Sequence, residues 1–268
     1  MIRTQRAPTR PAAVALVLSM IALTAACAGT SPAPSTSIAA PNPSAPAPAP
    51  SSAGPKKITD PYSPTIDPSA FSTTINNPYF PLTPGTRTIY QAASPDGLQR
   101  TTTEVTRDTK KIMGVDTVVV HDFLTLDGKL IEDTFDWYAQ DRDGNVWYFG
   151  EATKEFADGA VHTKGSFESG VDGALPGIIM PGRPQIGDQF RQEFAKGVAE
   201  DTGEVLSLTG SETTPLTGPV NDLLVTKDSD LLDPAAPTEN KYYARGVGLA
   251  LTLTGPAERE EAIAVEKF

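Results

Sequence analysis

The sequence predicts a mainly β domain: a curved antiparallel sheet, or an open barrel or sandwich, of about 11–12 strands. Three observations carry this. Apolar and polar residues alternate in short runs between residues 86 and 265. Turn residues interrupt these runs, among them the dipeptides Asp127-Gly128, Asp143-Gly144 and Asp158-Gly159, which readily adopt positive φ. No stretch of the domain carries a sustained helical period.

The front of the chain reads differently. Arg3, Arg6 and Arg10 form a basic start without acids, and an apolar run follows over residues 11–26. At about 16 residues it falls short of the roughly 20 needed to span a bilayer, so residues 1–26 read as a signal peptide. Leu23-Thr24-Ala25-Ala26 then leads into Cys27, the sole cysteine of the chain. This resembles the lipobox of bacterial lipoproteins, although Thr24 stands where the pattern prefers an aliphatic residue. The resemblance implies cleavage before Cys27, a diacylglycerol thioether on its sulfur, and often a further acyl chain such as palmitate on its amine. Two or three chains anchor a protein stably, whereas one does so only marginally. The alternative is ordinary cleavage that leaves a free thiol. With no second cysteine, the domain has no disulfide and must be stable through its core alone.

Residues 28–57 are almost entirely Ala, Pro, Ser, Thr and Gly, ending in Lys56-Lys57. Such a segment cannot offset its conformational entropy by burial, and it is expected to be a disordered, partly polyproline tether. Residues 58–268 are enough for one domain with a sizeable core. Losing a leader with three arginines and no acid takes the formal net charge from −11 to −14. That excludes nucleic acid and anionic lipid as partner surfaces.

Strands are expected at 86–92, 99–109, 115–126, 129–140, 145–150, 160–167, 188–194, 205–212, 223–227, 239–244, 248–254 and 262–265. Residues 127–151 hold both tryptophans and read as two successive hairpins. Phe135 and Trp137 sit on their shared strand, as the expected nucleus of the core. Residues 169–187, with five Gly and three Pro, break the rhythm and read as a loop.

Two motifs carry a resemblance: NPYFPLTPGTRTIY at 77–90 and KYYARGVGL at 241–249. They look like the opening and closing strands of uncharacterised secreted bacterial proteins, which are in turn similar to LolA-like and TapB-like lipoprotein sheets. The central DWYAQDRDGNVWYFGE fits the same group. Thr88 departs from it, because the group often has Trp there. The resemblance implies a curved antiparallel sheet; in LolA itself the concave face receives acyl chains.

Signals for catalysis are weak. Asp141-Arg142-Asp143-Gly144-Asn145 fails the calcium-loop spacing in both registers tried and reads as a turn. His121 and His162 are the only histidines, so a zinc site or a Ser-His-Asp triad has little to draw on. No cofactor or metal motif stands out, and a hydrolase is the weakest of the readings. A binding module for an apolar or lipid-like ligand is preferred; a scaffold contacting another envelope protein is the alternative. Ile178, Ile179 and Met180 discriminate between them: packed over a cavity they favour a ligand, and exposed they favour a partner.

His121, Asp133, Phe135 and Trp137 complete the candidate site. Asp133 shares the expected core face of its strand with Ile131, Phe135, Trp137 and Ala139. A two-residue loop at Asp127-Gly128 would set Asp122 against Asp133. A three-residue loop with a bulge would set His121 against Asp133, which gives the carboxylate a partner and is preferred.

Cys27→Ala should release the protein into the medium or leave it unprocessed. Fractionation of the native envelope checks this; a processed variant still in the membrane fraction would show that Cys27 is not the anchor.

Overall fold

The computed structural model describes residues 56–94, 96–255 and 258–268. The leader, Cys27 and the tether as far as residue 55 lie outside the described residues.

Tight turns set most of the fold. Asp127 and Gly128 both adopt positive φ (49° and 81°), as do Asp158 and Gly159 (53° and 75°). Consecutive positive φ values match the twist of a hairpin. The strands are β1 (Phe71–Ser72), β2 (Thr86–Ser94), β3 (Gly97–Ile112), β4 (Val115–Leu126), β5 (Lys129–Asp141), β6 (Val146–Ala157), β7 (Ala160–His162) and β8 (Phe167–Glu168). They continue with β9 (Leu175–Met180), β10 (Gln189–Arg191), β11 (Glu193–Phe194), β12 (Asp201–Thr214), β13 (Gly218–Asp230), β14 (Glu239–Ala244), β15 (Gly248–Thr254) and β16 (Glu258–Lys267). One 3-10 turn at Pro68–Ala70 is the only helical element among the described residues.

All strand pairs are antiparallel, in the order β10-β12-β13-β14-β15-β16-β2-β3-β4-β5-β6-β9-β11. The two ends of this path are one piece of chain. β10 pairs with β12, β11 pairs with β9, and Gln192 between them donates its N–H to Asp201 O at 2.8 Å. Residues 189–194 therefore close the sheet into a barrel, which is the barrel alternative of the expected fold class. At Gly177 on β9 the closure leaves no room: a Cβ there would stand 2.2 Å from Gln192 O.

Residues 169–187 are thus not a plain loop. Leu175–Met180 is a wall strand, with Val146 opposite Met180 and Trp147 opposite Ile178. Its Gly and Pro content hides a strand whose Gly177 is required by close backbone approach.

The inside and outside of the wall also differ from expectation. The interior core is built on Val105, Val118, Val120, Tyr138, Tyr148, Leu224 and Tyr243. Trp137 and Ala139 belong instead to an outer cluster with Ile112, Val115 and Phe149, against which Ile66 and Phe71 pack. Phe135 shares that outer face, stacked on His121. Trp137 is therefore a core residue of a satellite cluster, because strand alternation sends Thr134, Asp136 and Tyr138 inward in its place. Ion pairs such as Arg87–Glu104 (3.1 Å) and Arg259–Glu261 (2.8 Å) lie on the outer wall.

The segment before β2 straps the barrel and then plugs it. Gln189 donates to Lys56 O (2.8 Å), and Tyr62 donates to Pro176 O (2.8 Å). Buried Asn77 donates to Gly144 O and Pro181 O, while its own side-chain oxygen accepts from Tyr79 N–H. This fixes the turn that carries Tyr79, Phe80 and Leu82 into the interior core.

Gly177→Ala should cost at least about 2 kcal/mol, since the new methyl meets backbone that cannot give. Gly173→Ala, at φ 82° with open space around it, should cost only about 1 kcal/mol. Urea unfolding of both variants checks the difference; equal costs would mean that the β9–β11 seam is not tight.

Candidate functional site

Beneath the plug lies a cavity of about 350 Å³ inside the barrel. Strand register orders its lining. Thr86, Val105 and Val120 face one another across β2, β3 and β4 at the plugged end, with Leu82, Tyr138 and Ile179 near them. Two residues further along come Thr88, Thr103 and Asp122. Tyr90 and Thr101 follow, with Glu260 on β16 and Lys241 on β14. The cavity is apolar at one end and charged at the other.

The two motif segments meet here, although some 160 residues separate them. Gly246 donates to Pro78 O at 2.7 Å, and the Arg245 guanidinium lies 4.4 Å over the Tyr79 ring. Phe80 packs between Tyr138 (5.6 Å) and Tyr243 (6.5 Å). Both segments contribute to the cavity lining.

Charges at the polar end are unevenly satisfied. Lys241 Nζ contacts Asp228 Oδ2 at 3.0 Å and Glu239 Oε2 at 3.2 Å. Burial lowers the pKa of this ammonium, but the two carboxylates outweigh burial and hold it well above the usual lysine range. Asp228 also accepts from Gln192 Nε2 (3.0 Å) and Thr226 Oγ1 (2.9 Å). Glu260 accepts from Thr101 Oγ1 at 2.6 Å, and burial raises its pKa. The shielded Oδ1 of Asp122 has no hydrogen-bond partner. Burial, reinforced by Glu260 and Glu132 and opposed by a hydrogen bond from Thr103, lifts the Asp122 carboxyl to about 6.

A second polar group lines the wall on β5 and β6. Tyr148 Oη lies 2.5 Å from Asp136 Oδ1 and 3.0 Å from Glu151 Oε2. A phenol carries one proton, so both contacts are hydrogen bonds only when one carboxyl is itself protonated. Burial raises both acids accordingly, Asp136 well above the usual range. Glu193 and Asp201 are raised in the same sense, Asp201 to about 6.

The residues singled out in the sequence are divided by the wall. His121 Nε2 and Asp133 Oδ1 are 2.6 Å apart, with Lys154 Nζ 3.6 Å from Asp133 Oδ2. The His121 ring stacks on Phe135 at 4.3 Å and 4°. This group sits on the outer face, not on the core face assigned to Asp133. Neither expected register holds: Leu126 pairs with Lys129, and a bulge beyond Thr125 then sets Phe123 against Asp133 and His121 against Phe135. The His121–Asp133 contact is therefore diagonal. Trp137 lies under Lys110 Nζ, 3.3 Å from the ring centre. Ile178 pairs with Trp147, whereas Ile179 lines the cavity and Met180 is fully buried in the interior core.

The Asp141 turn is held by its own donors. Its carboxylate accepts from the N–H groups of Asp143 and Asn145, from Asn145 Nδ2 and from Trp147 Nε1. No cluster of three metal-ligating side chains occurs among the described residues.

The chain-level reading missed Asp122, Tyr90, Lys241 and Glu260. A signal did exist: Thr86, Thr88 and Tyr90 alternate on one face of β2, as do Thr101, Thr103 and Val105 on β3. Inward threonines look like a solvent face until the barrel closes.

Acids raised on folding hold protons that the unfolded chain has already lost. Their contribution is complete below about pH 4 and is lost as pH rises through 6. Asp67 and Glu204, lowered by hydrogen bonds from Ser69 and Lys227, act oppositely near the screened surface. The domain should therefore melt at a higher temperature at pH 5 than at pH 7.5. Asp122→Asn should stabilise it by roughly 1–2 kcal/mol at pH 7.5 and by little at pH 4. Calorimetry across this range decides; stability that rises between pH 5 and 7.5 would contradict the assignment.

No protein-family profile matches the chain, and no curated protein matches it either. Two solved structures are similar to it. One, from Bacteroides fragilis, is described as an exported protein with a YmcC-like fold; it shares 15% identity at a TM-score of 0.42, over 70% of this chain and 99% of that one. The other, from Parabacteroides distasonis, is described as a lipoprotein; it shares 12% identity at a TM-score of 0.40, over 70% of this chain and 98% of that one.

Proposed function

We propose that this protein is a binding protein of the bacterial cell envelope, held on the extracytoplasmic face of the membrane by acyl chains on Cys27, which carries a small, largely apolar ligand inside its barrel. The observation that carries the binding reading is the cavity of about 350 Å³ with an apolar end beneath Phe80 and Leu82. Its size lies at the lower end of the range typical of small-molecule sites. Ile179 and Met180 are turned into this interior, which weighs against an exposed apolar patch for a protein partner. The anchor reading rests on the leader and the position of Cys27. A leader, a lipidated cysteine and a Pro-rich spacer would keep a domain within tether reach of the membrane, and a ligand pocket is a natural cargo for it.

Thr88 supplies a direct test. It lines the cavity, at the motif position where similar secreted proteins often carry Trp. Purified wild-type domain should bind the neutral fluorescent probe N-phenyl-1-naphthylamine with one site per chain. Thr88→Trp should keep the circular dichroism spectrum of the barrel and lose the probe. A folded Thr88→Trp variant that binds the probe as the wild type does would show that the ligand site is elsewhere.

A further inference from the structure

The cavity's polar end shows which apolar molecules it suits. Asp122, Glu260 and Lys241 line it, and Asp228 and Glu239 pair with the Lys241 ammonium. The Lys241 charge is spent on Asp228 and Glu239, at 3.0 and 3.2 Å. Asp228 also accepts from Gln192 and Thr226, one on each carboxylate oxygen. Among the described residues neither of the cavity-lining carboxylates, Asp122 and Glu260, forms an ion pair of its own. Glu260 has one donor, Thr101; Asp122 has Thr103 as its donor, and its Oδ1 has no partner. A buried acceptor without a partner is costly, and a carboxylate more so than a neutral oxygen. Both residues line the cavity, so a cationic head there meets two carboxylates that have no ion pair.

We infer that the barrel selects amphiphiles with a primary ammonium at one end of a short apolar body, the ammonium bridging Asp122 and Glu260 and the body lying under Phe80 and Leu82. This deepens the cavity reading above and rests on it. An ammonium offers three donors and a full positive charge to two carboxylates, and charge-assisted hydrogen bonds are about twice as strong as neutral ones. A carboxylate head would meet like charge, and a hydroxyl head would leave the second acid unpaired. The threonines at 101 and 103 are neutral and do not compete for the charge.

Binding is proton-linked. Asp122 faces Glu260 from β16, Glu132 and Asp136 from β5, Tyr90 from β2 and Tyr138 from β5, with Lys241 on β14 as the nearby cation and His121 on the opposite face of its own strand. In the empty protein burial, with Glu260 and Glu132 adding to it, lifts the Asp122 carboxyl to about 6, so it holds a proton below that pH. An ammonium displaces that proton to solvent, so affinity falls as pH falls below 6.

Titration calorimetry of the purified wild-type domain with octylammonium, octanol and octanoate tests this, since the three share one tail and differ only in the head. At pH 7.5 octylammonium should bind at least tenfold more tightly than octanol, and octanoate more weakly than either. The octylammonium affinity should drop by about tenfold from pH 7.5 to pH 5, and near pH 6 its heat should depend on the ionisation heat of the buffer. Asp122→Asn should bring octylammonium and octanol to within about twofold of each other while still binding N-phenyl-1-naphthylamine. If the naphthylamine probe binds but the three octyl ligands show no order, the ammonium inference is overturned and the cavity reading stands. If the ammonium preference survives in both Asp122→Asn and Glu260→Gln, the head sits elsewhere and the inference is overturned. If neither the probe nor any octyl ligand binds, the cavity reading falls with it.

Discussion

Everything inside this domain depends on how the sheet closes. Residues 189–194 hydrogen-bond to β12 through Gln189–Arg191 and to β9 through Glu193–Phe194. A sheet that wraps onto a single shared segment has no free edge there, and the unpaired N–H and C=O groups of an open sheet are removed. The cost is geometric. The shared segment must change partners at Gln192, and only a glycine at 177 lets the backbones come close enough. Arg191 beside this switch is almost fully buried, paired with Asp60 at 3.1 Å and stacked on Phe194. The strap from the N-terminal side thus reinforces the seam at its weakest point.

Closure also decides what polar side chains cost. On an open sheet the inward Thr, Asp, Glu and Tyr residues of β2 to β6 would face water. In a barrel they face one another. Lys241 solves part of this by pairing with two acids, and Tyr148 solves another part by sharing its hydroxyl between Asp136 and Glu151. Asp122 is left over. Natural cores seldom keep an unpaired buried carboxylate, because an isostere without charge would be more stable. It lines the cavity, where a carboxylate without an ion pair costs stability.

The sequence and the structure agree where local chemistry rules. β4, β14 and β15 match the expected 115–126, 239–244 and 248–254, because Gly and Asp turns bracket them and their alternation is regular. Residues 175–180 were not legible as a strand. Their Pro176 and Gly177 are turn residues anywhere except at a seam where a Cβ would collide. The Asp133–His121 contact was legible, since both residues lie on one face, but the face was not. A strand with Phe135, Trp137 and Ala139 on one side and Thr134, Asp136 and Tyr138 on the other appears to bury the first set. The barrel buries both sets, Trp137 beneath the strap and Tyr138 in the interior. Alternation gives two faces without saying which encloses the cavity, and the site residues on the enclosed face were therefore passed over.

The two motifs explain why the site survives this ambiguity. Each is rigid for local reasons: Asn77 pins the Tyr79–Leu82 turn through its side chain, and Gly246 and Gly248 hold positive φ (73° and 100°) at the β14–β15 turn. Neither segment makes a cavity alone. Together, through Gly246 to Pro78 O and Arg245 over Tyr79, they place Phe80 between Tyr138 and Tyr243 and set the roof above the apolar end. The space beneath that roof is then fixed by the side chains that point up from β2 and β3. Thr88 is small, and a larger side chain there would reach into the cavity, so the volume depends on one side chain within this frame of turns. Changing that residue changes the cavity and leaves the frame of turns intact.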